Sequence, residues 1–182
     1  MHALNDNSIQ DRFLIDCCDK SAQFVSNFFD GQFSIKGPTE IIDTKKFIED
    51  YAFELSIDYK YCANQKFNGS LRGESFILLS DSILEQSLHL FYAKSDIKSR
   101  EESRKQLAEK TGDLVLSSIL SEFCVDKKLN ILSEQSHLVN QVVKSVMESY
   151  LENQSGNISR ALHTKICNHT GIGHIQIVIF FY

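Results

Sequence analysis

Two sets of side chains in this sequence have the types and spacing to do chemistry. The first lies in Arg100 to Phe123, REESRKQLAEKTGDLVLSSILSEF, which reads as one long helix. Its first half is polar, its second half apolar, and Thr111-Gly112-Asp113 marks the join. Glu102, Gln106, Glu109, Lys110 and Asp113 fall three and four residues apart, so carboxylates, a carboxamide and an ammonium group share a face. Such a face can dock a charged partner, and it is equally the wet side that any amphipathic helix presents. The second set is His163, Cys167, His169 and His174. Imidazoles and a thiolate are ligand types for zinc or copper. The spacing matches no structural zinc motif, however, and Lys165 falls on the same face, so the expectation is a solvent-exposed or interface hairpin end with no metal.

Other familiar chemistries find no support. Gly69-x3-Gly73 lacks the Gly-Lys-Ser/Thr ending of a phosphate-cradling loop, and no G-x-S-x-G nucleophile elbow occurs. His89 reads as the flank of an amphipathic helix rather than a general base. Cys17-Cys18 reads as half-buried packing, since nothing near it in sequence would lower a thiol pKa.

The elements that must position these groups follow from periodicity. Residues 8–29 predict a first helix with Phe13, Cys17, Phe24, Val25 and Phe28 on one face. Gln32 to Ile35 reads as a short strand ended by Gly37-Pro38, and Thr39 to Asp50 as a strand at Glu40 to Ile42 with a helical turn at Lys45 to Asp50. Phe53 to Cys62 alternates as a half-buried strand, Asn64 to Gly69 as a turn, and Leu71 to Leu79 as the returning strand. Ser80 or Asp81 caps a helix to about Tyr92 with Ile83, Leu84 and Leu88 inward, and the long helix follows. Lys127 to Leu132 predicts a strand, and Ser136 to Asn153 a further amphipathic helix. The last segment predicts a hairpin with its loop at Thr170 to Gly173. His169 then faces His174, Ile166 faces Ile177, Thr164 faces Ile179 and Leu162 faces Phe181. That register lines Leu162, Ile166, Ile175, Ile177, Ile179 and Phe181 along one apolar face. The fold class is α+β, an antiparallel sheet packed against amphipathic helices, in one domain over residues 1–182.

Composition narrows the function class. A formal net charge of -5, with no concentrated basic patch, argues against nucleic acid as partner. The N-terminus lacks a charged segment followed by an apolar one, and the longest apolar run, Ile175 to Tyr182, is too short to span a bilayer. Five cysteines, two of them vicinal, suit reduced thiols and a cytoplasmic setting. A terminal strand left at a sheet edge would want covering, which points to a homodimer.

Three stretches carry a resemblance to a known family. Gly69-Ser-Leu-Arg-Gly73-Glu-Ser-Phe-Ile-Leu-Leu-Ser80, Thr111-Gly-Asp-Leu-Val-Leu-Ser-Ser-Ile-Leu120 and the Leu162 to Phe181 hairpin with Thr170-Gly-Ile-Gly173 at its turn occur in this order. Together they resemble the second strand, signature helix and closing strands of the chemotaxis phosphatase superfamily typified by CheC and CheX, with residues 136–153 as an elaboration. The resemblance implies a partner, the receiver domain of a phosphorylated response regulator. It also implies a helix presenting Glu and, three residues later, Asn. The Glu would anchor a receiver lysine, and the amide would orient water toward an aspartyl phosphate, a reaction that needs positioning more than covalent help. No cofactor is implied for this chain, because the Mg²⁺ of such a reaction belongs to the receiver.

The signature can be set on this helix in two registers. With Asp113 in place of Asn, Leu114 and Val115 turn inward and Lys110 stands where Glu is expected. With Glu109 as the Glu, Gly112 replaces Asn and Asp113 is driven inward. The first is preferred, because burying an unpaired carboxylate costs on the order of several kcal/mol. Gln106, beside Glu102 or Glu109, could supply the missing amide from one turn earlier. The candidate catalytic residues are therefore Gln106, Glu109 and Asp113, with Glu102 and Lys110 as partner contacts. The alternative is an interaction or dimerisation module that keeps the fold and has lost the chemistry.

Overall fold

A computed structural model of the chain describes residues 33–40, 59–91, 97–139, 160–169 and 173–182, with helical positions at 20, 23, 25–27, 46–47, 145, 148–149 and 152. Strands β1 (Phe33–Glu40), β2 (Tyr59–Gly69) and β3 (Gly73–Ser80) lead into helices α1 (Asp81–Phe91) and α2 (Ile97–Lys127). Short strands β4 (Ile131–Ser133) and β5 (His137–Leu138) follow, and β6 (Arg160–Asn168) and β7 (His174–Phe181) close the order. They form a seven-stranded sheet in the order β1-β6-β7-β3-β2-β4, with β5 also on β2, and every pairing is antiparallel. The expected α+β class is what the chain adopts.

Alternation along the strands sends one set of side chains toward the helices. Tyr61, Phe67, Ile77, Leu79, Leu162, Ile166, Ile175, Ile177 and Ile179 meet Ile83, Leu84 and Leu88 of α1 and Leu107, Val115, Leu116, Ile119 and Leu120 of α2. Each fully buried aliphatic side chain contributes about 1.5–3 kcal/mol, so this layer fixes where α2 lies. Val25, from the predicted first helix, joins the same core. Glu85 of α1 pairs with Arg100, at 2.6 Å, and with Arg104, which ties the polar start of α2 to its neighbour.

Several sequence expectations need correction. The segment expected as a turn, Asn64 to Gly69, is strand, and the chain reverses one step later between β2 and β3. Asn64 and Gln65 are buried within the sheet and bonded there: Asn64 donates to Glu74 at 2.7 Å, and Gln65 donates to the Glu134 carbonyl. Strand β1 does not stop at Gly37-Pro38; a register irregularity between Lys36 and Thr39 absorbs that pair, the usual home of a strand proline. The half-buried reading of Phe53 to Cys62 also fails at Cys62, the residue on its expected wet face whose side chain the structure describes. Cys62 and Asn64, on the face turned from α2, are 1% and 4% exposed, and every residue of β3 is buried, so both faces are covered there, while Lys66 and Asn68 farther along β2 are exposed.

The terminal hairpin keeps the predicted apolar face but not the predicted pairs. Ile166 pairs with Ile175, Thr164 with Ile177, Leu162 with Ile179, and Cys167 with His174. The shift is by two residues, which preserves side-chain parity and therefore burial. The loop closes earlier than expected, with Asn168 N–H donating to the Gly173 carbonyl at 2.8 Å and Gly173 N–H to Asn168 Oδ1 at 3.0 Å. β7 lies between β6 and β3, so the terminal strand is no edge and gives no argument for dimerisation. The helix expected from Ser136 begins instead as β5, although Ser145, Glu148, Ser149 and Glu152 are helical. Cys17 and Cys18, residues 53–58 and the Glu40-to-Ile42 strand beyond Glu40 lie outside the described residues.

Candidate functional site on helix α2

α2 runs unbroken through Thr111-Gly112-Asp113. A glycine in a helix interior costs about 1 kcal/mol relative to alanine. Here it permits close approach: a Cβ at Gly112 would sit 2.8 Å from Ala63 Cβ of β2 and 3.2 Å from Ser136 Oγ. Thr111, equally buried, returns its hydroxyl to the Leu107 carbonyl at 2.7 Å. Positions 111 and 112 therefore face the sheet, and the register that uses Gly112 as the surface amide position has no surface there.

The opposite face of α2 exposes Glu102, Gln106 and Lys110, with Glu109 and Asp113 half-buried beside them. From Glu102 to Asp113 this stripe is about 16 Å long at helical rise. No side chain among the described residues partners Glu102, Gln106, Glu109 or Lys110. Asp113 is different. Its Oδ1 accepts from the Ser136 backbone N–H at 2.7 Å, and the Ser136 hydroxyl donates to the Glu109 carbonyl at 2.8 Å. These bonds hold the link between β4 and β5 against the helix. Asp113 thus spends one carboxylate oxygen on a structural clamp. Glu109 enters the same clamp through its backbone and keeps its side chain half-exposed.

Sequence reasoning missed Ser136, which it read as the start of a helix. No local pattern announces that a serine will bond to a helix lying more than twenty residues earlier. It also missed Glu101, which accepts from the Tyr61 hydroxyl at 2.8 Å. Burial, reinforced by that carboxylate, pushes the Tyr61 phenol up to about 12. Neither residue belongs to the free stripe, but each anchors one end of it to β2 or its neighbours.

The stripe can recognise a charged surface: Lys110 offers an ammonium, Glu102 a carboxylate and Gln106 a neutral donor and acceptor. It contains no activated nucleophile. A carboxylate at 113 cannot donate a hydrogen bond when ionised, so it cannot replace an amide as a donor toward a phosphoryl group. Of the second candidate set, Cys167 and His174 are direct cross-strand neighbours and the other two lie apart from them in register. His163 is nearly buried, hydrogen-bonded to Gln176 at 2.8 Å and ring-packed on Phe47 at 5.0 Å, while His169 is exposed at the turn and does not face His174. The His174 and Tyr59 rings meet in a T-shaped arrangement with centroids 5.0 Å apart. Among the described residues no group of His, Cys, Asp and Glu is arranged to hold a metal, and no helix is long and apolar enough to cross a membrane.

No family model and no curated protein matches the sequence. Solved structures do match. The CheX of Borrelia burgdorferi, in its complex with CheY, BeF3 and Mg, superposes with a TM-score of 0.61 at 10% identity, covering 93% of this chain and 96% of that one. CheX of Desulfovibrio desulfuricans gives 0.62 at 8% identity over 94% of this chain and 99% of that one. FliY of Thermotoga maritima gives 0.59 at 10% identity over 98% and 91%. At such identities the likeness is one of fold, and the fold is CheC/CheX-like.

Proposed function

We propose that this chain is a chemotaxis-type signalling module that binds the receiver domain of a response regulator through the exposed stripe of α2, and that it acts by docking rather than by hydrolysis. The observation that carries the docking reading is the mixed-charge face Glu102-Gln106-Lys110, unpartnered among the described residues, on a long helix of a fold shared with CheX, one example of which is complexed with CheY. The absence of hydrolysis rests on Asp113. It occupies the position where the resemblance implies an asparagine, and its carboxylate is already committed to the Ser136 backbone. A receiver partner implies work in the cytoplasm. Self-association into a homodimer belongs to the same proposal.

The test uses receiver domains encoded beside the gene, in their unphosphorylated and beryllofluoride-activated forms. Saturable binding that Lys110→Glu or Gln106→Ala weakens at least tenfold, with the phosphorylated receiver decaying at its own rate, is the expected result. Accelerated decay would instead assign hydrolysis to Gln106 and Glu109. No binding to any such receiver would remove the proposal.

A further inference from the structure

At the end of the sheet remote from the hairpin loop of β6 and β7, the turn between β2 and β3 closes a cleft of about 560 Å³ lined by Lys66, Asn68, Arg72, Gly73, Glu74, Glu134 and Tyr182. We propose that this cleft binds a small polar molecule carrying an oxyanion, carboxylate or phosphate. Its size falls in the range of small-ligand sites. Lys66 and Arg72 bring two cations to it, and neither has a carboxylate within ion-pair distance among the described residues.

Two carboxylates, Glu74 and Glu134, line the same cleft, and among the described residues neither forms an ion pair with Lys66 or Arg72. Glu74 is 8% exposed and both its oxygens are occupied, Oε1 by the Asn64 amide at 2.7 Å and Oε2 by the Tyr182 hydroxyl at 3.1 Å. The guanidinium carbon of Arg72 lies 5.9 Å from the centre of the Tyr182 ring, and the Arg72 carbonyl accepts the Tyr182 N–H at 3.0 Å. The ring contact limits where the guanidinium fork can point, and the backbone bond fixes the main chain that carries it. Such a fork suits the two oxygens of a carboxylate or phosphate. Asn68 adds an amide, and exposed Glu134 adds an acceptor for hydroxyl or amino groups on the body of the ligand. Gly73 leaves the floor open only to backbone, since a Cβ there would meet the Phe180 carbonyl at 2.1 Å.

The experiment is titration calorimetry of the whole chain with inorganic phosphate and, separately, with L-malate, at ionic strength held constant with sodium chloride. Saturable heat with either probe is expected, and Arg72→Gln or Lys66→Gln should weaken it about tenfold, the equivalent of one charge-assisted hydrogen bond. Binding of phosphate alone or of malate alone supports the site and identifies its anion. Because both cations are exposed, the variants should keep the wild-type melting curve, which shows that lost binding is not lost folding. Lys110→Gln, on α2, should leave these titrations unchanged, which separates this site from receiver docking. No saturable binding of either probe, or binding indifferent to both cleft variants, overturns the proposal.

Discussion

Replacing Asp113 distinguishes a structural clamp from a catalytic group. In Asp113→Ala the Ser136 N–H loses a charged acceptor at 2.7 Å, and Ser136 is 5% exposed, so solvent cannot readily take its place. A hydrogen bond to a charged group contributes about 1.5–3 kcal/mol, and the loss should fall in that range. For a chain of this size about 1 kcal/mol moves the melting temperature by roughly 2–4 °C, so a fall of several degrees is expected. Asp113→Asn keeps an acceptor oxygen in place and should cost about 1 kcal/mol or less. Urea denaturation gives the stability differences. Amide hydrogen exchange reads the bond itself: Ser136 should lose protection in the alanine variant and keep it in the asparagine variant. Equal stability of the two variants, or a Ser136 amide indifferent to both, would refute the clamp.

Lys128, with φ 52 where α2 ends, sits in the left-handed region while Leu129 N–H reaches back to the Cys124 carbonyl at 3.2 Å; Lys128→Gly should therefore stabilise by about 1 kcal/mol in thermal unfolding. Gly69, at φ 125, has no room for a Cβ, which would lie 2.1 Å from the Asn130 carbonyl oxygen; Gly69→Ala should destabilise by roughly 3 kcal/mol or more in urea. Burial pushes the Cys62 thiol up to about 12, so mass mapping after brief iodoacetamide treatment at pH 8.5 should find Cys62 unlabelled until the protein is unfolded. Tyr61 and Cys62 both hold their protons more tightly folded than unfolded. The stability they lend is therefore full below the unfolded values, 10.0 and 9.0, and is lost as pH rises toward about 12, which alkaline unfolding should show as a steady decline above pH 9.

What could be read from the sequence was whatever depends on parity and local period. The apolar faces of β6, β7, α1 and α2 follow from spacing alone, and each is found in the core. What depends on a distant partner could not be read. The two-residue shift of the terminal hairpin leaves every side chain on its predicted face, so hydrophobicity cannot detect it. Asn64 and Gln65 look like turn residues until Glu74 and the Glu134 carbonyl are placed beside them. Residues 137 and 138 suit a helix by period, yet they pair with Asn64 and Ala63 of β2. The site divides in the same way. Exposure of Glu102, Gln106 and Lys110 follows from helical phase, whereas the diversion of Asp113 to Ser136 depends on a loop returning to the helix.

The outer margin of β2 has a consequence for assembly. β4 takes up Phe67 to Gly69, β5 takes up Ala63 and Asn64, and the N–H groups of Glu134 and Val139 reach the Lys66 and Cys62 carbonyls on either side of β5. Along that margin the main chain is already spoken for. Among the described strands, β1 has an unpaired side at one end of the sheet, and at the other end the short β4 and β5 each pair only with β2. The outer sides of β4 and β5 are only three and two residues long against eight for β1, so strand addition between two copies would be longest at β1, where a two-fold axis closes the pair.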